Sequence, residues 1–302
     1  MPYGADDLRS KLATATKTAT AERFSAADYV KFYEEPPFER TATSSTWYAR
    51  GQNFVFVYSE ISGPTEFGPW SEQEEQVLLL LDEGLSAEVQ APGESVTVPG
   101  QRMVVLPPGR GSATVTGTGR VVRLVRSNSV DAALALNADS YAEPHENIPP
   151  FVAWPEPVGG YKLRVYDLTV PALSNPPFRL YRCTTFMVNY INPVDGPRDP
   201  SKLSPHYHDD FEQCSVAFEG EYIHHIRWPW TTDRRVWRED QHELCASPSV
   251  TIIPPPSIHT SEAVGSGQNH LVDIFSPPRV DFSSMEGWVL NAADYPMPEP
   301  QG

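Results

Sequence analysis

The sequence predicts an all-β chain of two tandem barrels, preceded by a short helical segment. Three observations carry that prediction. Proline is dense, 31 in 302 residues, which disfavours long helices and central strands and suits short strands joined by turns. Runs rich in aromatic and β-branched residues, such as FVFVYSEI and SVTII, recur along the chain. The third observation is that the two halves repeat one another.

The repeat has four matched segments in the same order. FVFVYSEISGP from Phe54 matches FMVNYINPVDGP from Phe186, with one residue inserted. PWSEQEEQVLLLLDEG, Pro69 to Gly84, matches PHYHDDFEQCSVAFEG, Pro205 to Gly220, without a gap. VLPP from Val105 matches IIPP from Ile252, and LNADSY from Leu136 matches LNAADY from Leu290. In chain order, residues 1–35 read as a helical arm, with Leu8, Leu12, Ala26, Ala27 and Val30 as its apolar positions. Residues 36–130 form the first barrel, 131–165 a linker marked by AEPHENIPPF, and 166–302 the second barrel. VLLLLDEGLSAEVQ and CSVAFEGEYIHHIRW each read as a hairpin folded at Glu-Gly.

Composition narrows the function. The chain has 23 basic and 39 acidic residues, net charge −16, which argues against nucleic-acid binding by a broad basic surface. The N-terminus lacks the basic-then-apolar pattern of a signal peptide. No apolar run approaches the roughly 18 residues a bilayer span needs. A cytoplasmic protein with a small-molecule substrate and no membrane partner is expected. Cys183, Cys214 and Cys245 form no C-x-x-C pair, so neither a disulfide scaffold nor a cysteine zinc site is expected; Cys214 reads as a core residue.

The chemistry concentrates in HYHDDFE, His206 to Glu212, and in PPPSIH, Pro254 to His259. Residues two apart on a strand share a face, so His206 and His208 present two imidazoles to one side. Glu212 has the same parity, and His259 approaches from another strand. Three imidazoles and one carboxylate suit a divalent transition metal. Four protein ligands on a metal that prefers six leave room for substrate or O2. In the first half the corresponding positions hold Trp70, Glu72, Gln76 and Ser112, a poor donor set, so that half is expected to be structural.

Around this site the reading branches. If Glu219-Gly220 is a two-residue turn, His225 and Arg227 face the metal as catalytic partners of Glu212; a longer loop turns His224 and Trp228 inward instead. The shorter turn is favoured, so Glu212, His225 and Arg227 are the expected catalytic set. Tyr190 and Arg182 are candidates for the cavity wall, Arg182 as partner of a substrate carboxylate.

The order His206, His208, Glu212, Gly220 and then Pro254 to His259 resembles the two motifs of the cupin superfamily, whose fold is a double-stranded β-helix, or jelly roll. Gly220 stands one residue later than is usual in that pattern, Pro256 occupies a place where glycine is frequent, and Ala263 stands where an asparagine is expected. The resemblance covers both halves, as in a bicupin. It implies one divalent transition metal per chain on His206, His208, Glu212 and His259, with Fe(II) expected and Mn, Zn, Ni or Cu as alternatives. It also implies an Fe(II) dioxygenase acting on a small organic substrate, with a redox-neutral isomerase or lyase and a non-enzymatic binder as the other readings. A homodimer is expected.

Overall fold

A computed structural model describes residues 23–173 and 178–299. The regular structure of the described chain is almost all strand, with a few 3-10 turns and one four-residue helix, Val280–Ser283. Most of the expected helical arm lies outside the described residues. Its last part, Asp28–Lys31, is a strand and not helix. It pairs antiparallel with Ser249–Ile252, so an open sheet edge captures a segment whose Tyr29, Val30 and Phe32 favour extended backbone.

Each half is a pair of sheets. In the first, a seven-stranded sheet runs in the order Arg164–Asp167, Arg102–Leu106, Gln76–Leu80, Thr118–Arg126, Phe54–Ser62, Ser44–Arg50, Glu39–Arg40. It is faced by Thr65–Glu72, Gly109–Thr116, Ser86–Ala91 and Glu94–Pro99. In the second, the order is Asp28–Lys31, Ser249–Ile253, Glu212–Glu219, Gln268–Ser276, Met187–Ile191, Phe178–Arg182, with Val194–Asp195 added alongside Gln268–Ser276. Gln241–Ala246, Glu221–Arg227 and Ile258–Ala263 form its smaller sheet. Two strands cross the expected boundaries. Asp28–Lys31, from the expected arm, extends the second half's sheet, and Arg164–Asp167, at the end of the expected linker, extends the first half's.

Strand alternation sorts the side chains into distinct cores. Val77 and Leu79 of the first half meet Cys214, Val216 and Phe218 of the second in one shared cluster, so the two large sheets pack face to face. Tyr190, expected at a cavity wall, belongs to this shared core. The other face of the first large sheet is apolar: Leu78, Leu80, Val104 and Val121 pack on Val89, Ala113 and Val115. The matching face of the second is polar. Gln213, Ser215, Thr251, Asn189 and Asp273 alternate along their strands with residues of the shared core. The first sandwich is mostly hydrocarbon, with Gln76 and Arg123 as buried exceptions, and the second carries more polar groups beside the cluster of Phe211, Phe275 and Met187.

The repeat reappears as matched contacts between the halves. Asn137 brackets Arg50, accepting from its N–H and donating to its carbonyl at 2.9 and 2.8 Å. Asn291 brackets Arg182 in the same way at 3.0 and 2.8 Å. Arg182 also donates to the Tyr295 carbonyl and lies 5.1 Å from the Trp154 ring, so it is a structural residue and not the expected wall of a cavity. After each bracketed arginine comes a turn that receives a buried carboxylate from the other half. Glu75 accepts from the Thr184 N–H and hydroxyl at 2.9 and 2.8 Å and from the Tyr295 hydroxyl at 3.1 Å. Glu212 accepts from the Gln52 and Asn53 N–H groups at 2.8 and 2.7 Å.

Burial pushes the Glu75 carboxyl above its usual range, against the hydrogen bonds that favour its charge. The folded chain therefore holds this proton more tightly than the unfolded chain does. Its contribution to stability is full below the ordinary carboxylate pKa and is lost as pH rises through the folded value. Glu75→Gln is expected to flatten the decline of unfolding free energy as pH rises above the ordinary carboxylate pKa of about 4. Urea denaturation across that range measures it, and an unchanged slope contradicts it.

Candidate metal centre

His206 and His259 meet as an isolated antiparallel bridge, with N–H to carbonyl distances of 3.1 and 2.8 Å. Their rings lie 4.5 Å apart, and the His208 and His259 rings 5.0 Å apart. The Nδ1 of His206 is 2.9 Å from the Ser204 carbonyl, and that of His259 is 3.0 Å from the Ser257 carbonyl. A carbonyl can only accept, so each Nδ1 carries the proton and each Nε2 presents a lone pair, the tautomer a metal-binding histidine needs. His208 is buried against Phe211, ring centroids 3.9 Å apart. Burial holds His259 down to about 4 and His208 well below the usual histidine range. Both are therefore neutral at pH 7, as ligands must be.

The carboxylate expected to join them does not. Glu212 points into the contact between the halves, onto the Gln52 and Asn53 amides. Burial pushes its carboxyl up to about 7. The next residue takes the place: Gln213 Oε1 lies 3.3 Å from His208 Nε2 and 3.2 Å from His259 Nε2. The physical reason is a bend at Asp209–Phe211 between the histidines and the strand. The bend changes the alternation by one residue, so Gln213 shares the histidines' face and Glu212 takes the opposite one. Counting from Gln213 also shortens the interval to Gly220 by one, to the usual cupin spacing.

The other two expected catalytic residues also face away. His225 contacts His242 and Glu262 at 2.7 and 3.0 Å, and Arg227 forms an exposed pair with Asp240. Tyr222, His224 and Ile226 are buried instead. The expected hairpin is absent because Glu221–Arg227 pairs with Gln241–Ala246 and Ile258–Ala263 rather than with Glu212–Glu219. Glu219-Gly220 is a corner between sheets, with Gly220 at φ 84 and no room for a Cβ, which would stand 2.1 Å from Asn269 Oδ1. His224 shares the face of His259, since Ile226 lies opposite His259 and His224 opposite Ser261. Its Nδ1 is 2.9 Å from Ser261 Oγ and its Nε2 is buried without a partner. Trp228, the other inward alternative, donates to the Ser25 carbonyl within a separate apolar cluster.

Among the described residues no three His, Cys, Asp or Glu side chains converge as a ready metal cage, the three histidines included. The donor chemistry nevertheless fits a cation. His259 Nε2 and Gln213 Oε1 are both acceptors, 3.2 Å apart. Gln213 cannot turn its amide without loss, because its Nε2 already donates to Ser215 Oγ and Asp273 Oδ1 at 3.0 and 3.2 Å. Two buried lone pairs facing each other are unfavourable unless a positive charge lies between them. His206, His208, Gln213 and His259 are the residues that would hold a divalent metal here.

The first half solves the same problem with its own cation. Gln76 is the counterpart of Gln213, each lying two residues before a strand position whose partner is charged: Leu78 opposite Arg123, Ser215 opposite Asp273. Arg123 is buried, with its Nη1 3.0 Å from Gln76 Oε1 and 3.2 Å from Glu72 Oε1. It also pairs with Asp131 and lies 4.6 Å from the Trp70 ring. A fixed guanidinium neutralises these groups and leaves them no use for a metal. Saturating the protein with Co(II) or Mn(II) is expected to give one bound ion per chain by elemental analysis; two ions per chain would contradict it.

Solved structures with this arrangement of strands are known. AerE from Microcystis aeruginosa is 12% identical, with TM-score 0.54, the match covering 85% of this chain and 100% of AerE. A tryptophan-to-phenylalanine variant of oxalate decarboxylase from B. subtilis is 13% identical, with TM-score 0.56 and coverage of 86% and 79%. The 11S allergen of Cocos nucifera L. is 12% identical, with TM-score 0.55 and coverage of 87% and 94%. No family model and no curated protein sequence matches the chain. At such identities the likeness shows fold alone: the chain has the bicupin fold, a scaffold shared here by a decarboxylase and an allergen.

Proposed function

We propose that the chain is a metal-dependent cupin enzyme that holds one divalent transition metal on His206, His208, Gln213 and His259 and acts on a small organic anion. The opposed lone pairs of His259 Nε2 and Gln213 Oε1 carry this reading. All four groups would bind as neutral donors, so the ion would keep its full charge, which favours an anionic ligand such as a carboxylate or enolate. When bound, the metal supplies Lewis acidity and, as Fe(II), the electron chemistry that O2 requires. Fe(II) with O2 is the leading form of the proposal.

A redox-neutral isomerase or lyase is the second reading, and His224 favours it. A buried neutral imidazole on the face of His259, with no partner at Nε2, is a group able to exchange a proton with a bound substrate. Burial and the neighbouring His259 and His225 hold its pKa down to about 3. Protein loaded with Fe(II) or Mn(II), assayed against a panel of small carboxylates and enols, distinguishes the two. O2 consumption coupled to substrate loss is the expected result. Turnover without oxygen replaces the dioxygenase by the second reading. Saturable ligand binding with no turnover in either atmosphere overturns the enzyme altogether.

A further inference from the structure

We propose that Asp273, acting with Ser215, is the residue that aims Gln213 at the metal. The inference rests on Gln213 being a ligand and adds what makes it one. A carboxylate presents the same atom from either end, but an amide does not: one end accepts and the other donates. Gln213 serves as a ligand only when its oxygen faces the histidines.

Three contacts fix that orientation. Ser215 Oγ donates to Asp273 Oδ1 at 2.5 Å, which leaves the serine lone pairs to accept from Gln213 Nε2 at 3.0 Å. Asp273 Oδ1 accepts from the same Nε2 at 3.2 Å. Gln213 and Ser215 are buried and Asp273 is half-buried, so water has little access to the amide. Without the two acceptors the amide gains by turning over: its NH2 group would then donate to the lone pair of His259 Nε2 and occupy the place of the ion.

The first half supplies an internal comparison. Arg123 stands opposite Leu78 as Asp273 stands opposite Ser215. There the amide is turned the other way: Gln76 Oε1 faces the guanidinium at 3.0 Å, and its Nε2 has no partner. In each half the group opposite that strand position holds one end of the shared glutamine: a donor, Arg123, holds the oxygen, and an acceptor, Asp273, holds the nitrogen.

The test is metal affinity, read by calorimetry and by Co(II) absorption on full-length protein whose fold is checked by circular dichroism. Asp273→Leu should weaken binding about 10- to 100-fold, the usual range for a group that orients a ligand. Ser215→Ala, which removes one acceptor and no charge, should weaken it by less, about several-fold. Asp273→Asn keeps an acceptor and should retain most of the affinity. Gln213→Glu combined with Asp273→Leu should restore binding, since a symmetric carboxylate needs no aiming. Wild-type affinity in both Asp273→Leu and Ser215→Ala overturns the inference. Equal losses in Asp273→Asn and Asp273→Leu also overturn it, by assigning the effect to charge alone. Wild-type affinity in Gln213→Leu overturns the underlying ligand assignment instead.

Discussion

Gln213→Leu is expected to lose stoichiometric metal and to lower activity at least about 100-fold, while Glu212→Gln keeps both within about threefold. His206→Ala and His259→Ala should match Gln213→Leu. The reason is positional: Gln213 Oε1 is within 3.3 Å of two imidazoles, whereas the Glu212 carboxylate is spent on the Gln52 and Asn53 amides. All of these ligand variants should remain folded. The shared apolar core and the separate cluster of Phe178, Phe211, Phe275, Phe282 and Trp288 do not depend on an ion, unlike a zinc finger, where metal binding is folding. Elemental analysis and circular dichroism of purified variants check both halves of the expectation. Stoichiometric metal in Gln213→Leu would remove the amide from the site.

Much of this arrangement is legible in residue type and order. The four repeat segments, the strand content and the resemblance to the bicupin fold follow from them. The fourth donor is misplaced when side-chain parity is carried through Asp209–Phe211 as if the chain stayed extended. A bend of three residues resets alternation, and nothing in the residue types there announces it. A signal is nonetheless present. Glu-Gln occurs at Glu75-Gln76 and again at Glu212-Gln213, and aligning the two pairs costs one gap that the ungapped match hides. The late position of Gly220 points to the same one-residue offset. His225 and Arg227 are misassigned for a different reason. A Glu-Gly turn between two strand-like runs does not say whether the runs pair with each other or leave for different sheets. That choice is made by the partners of Glu221–Arg227, which come from residues 241–246 and 258–263, far along the chain.

Glu212→Ala is expected to cost about 3 to 5 kcal/mol of stability, the range for breaking a buried polar network and leaving a void. The truncation strands two backbone N–H groups, Gln52 and Asn53, each of which now donates to a fully buried carboxylate. An orphaned buried donor costs about 1 to 3 kcal/mol. Gly51→Ala should destabilise through the same contact from the other side. A Cβ on Gly51 would stand 2.5 Å from Phe54 Cε1 and 2.8 Å from Glu212 Oε1. Phe54 lies in the core shared by the two halves, so neither neighbour can yield freely. Urea denaturation should show both losses with metal stoichiometry near one at temperatures where the variants are folded. Because Glu212 and Gln213 are adjacent and face opposite ways, the pair separates two roles. If Glu212→Ala abolishes metal while leaving stability intact, and Gln213→Leu does the reverse, the two side chains have been assigned to the wrong faces of the strand.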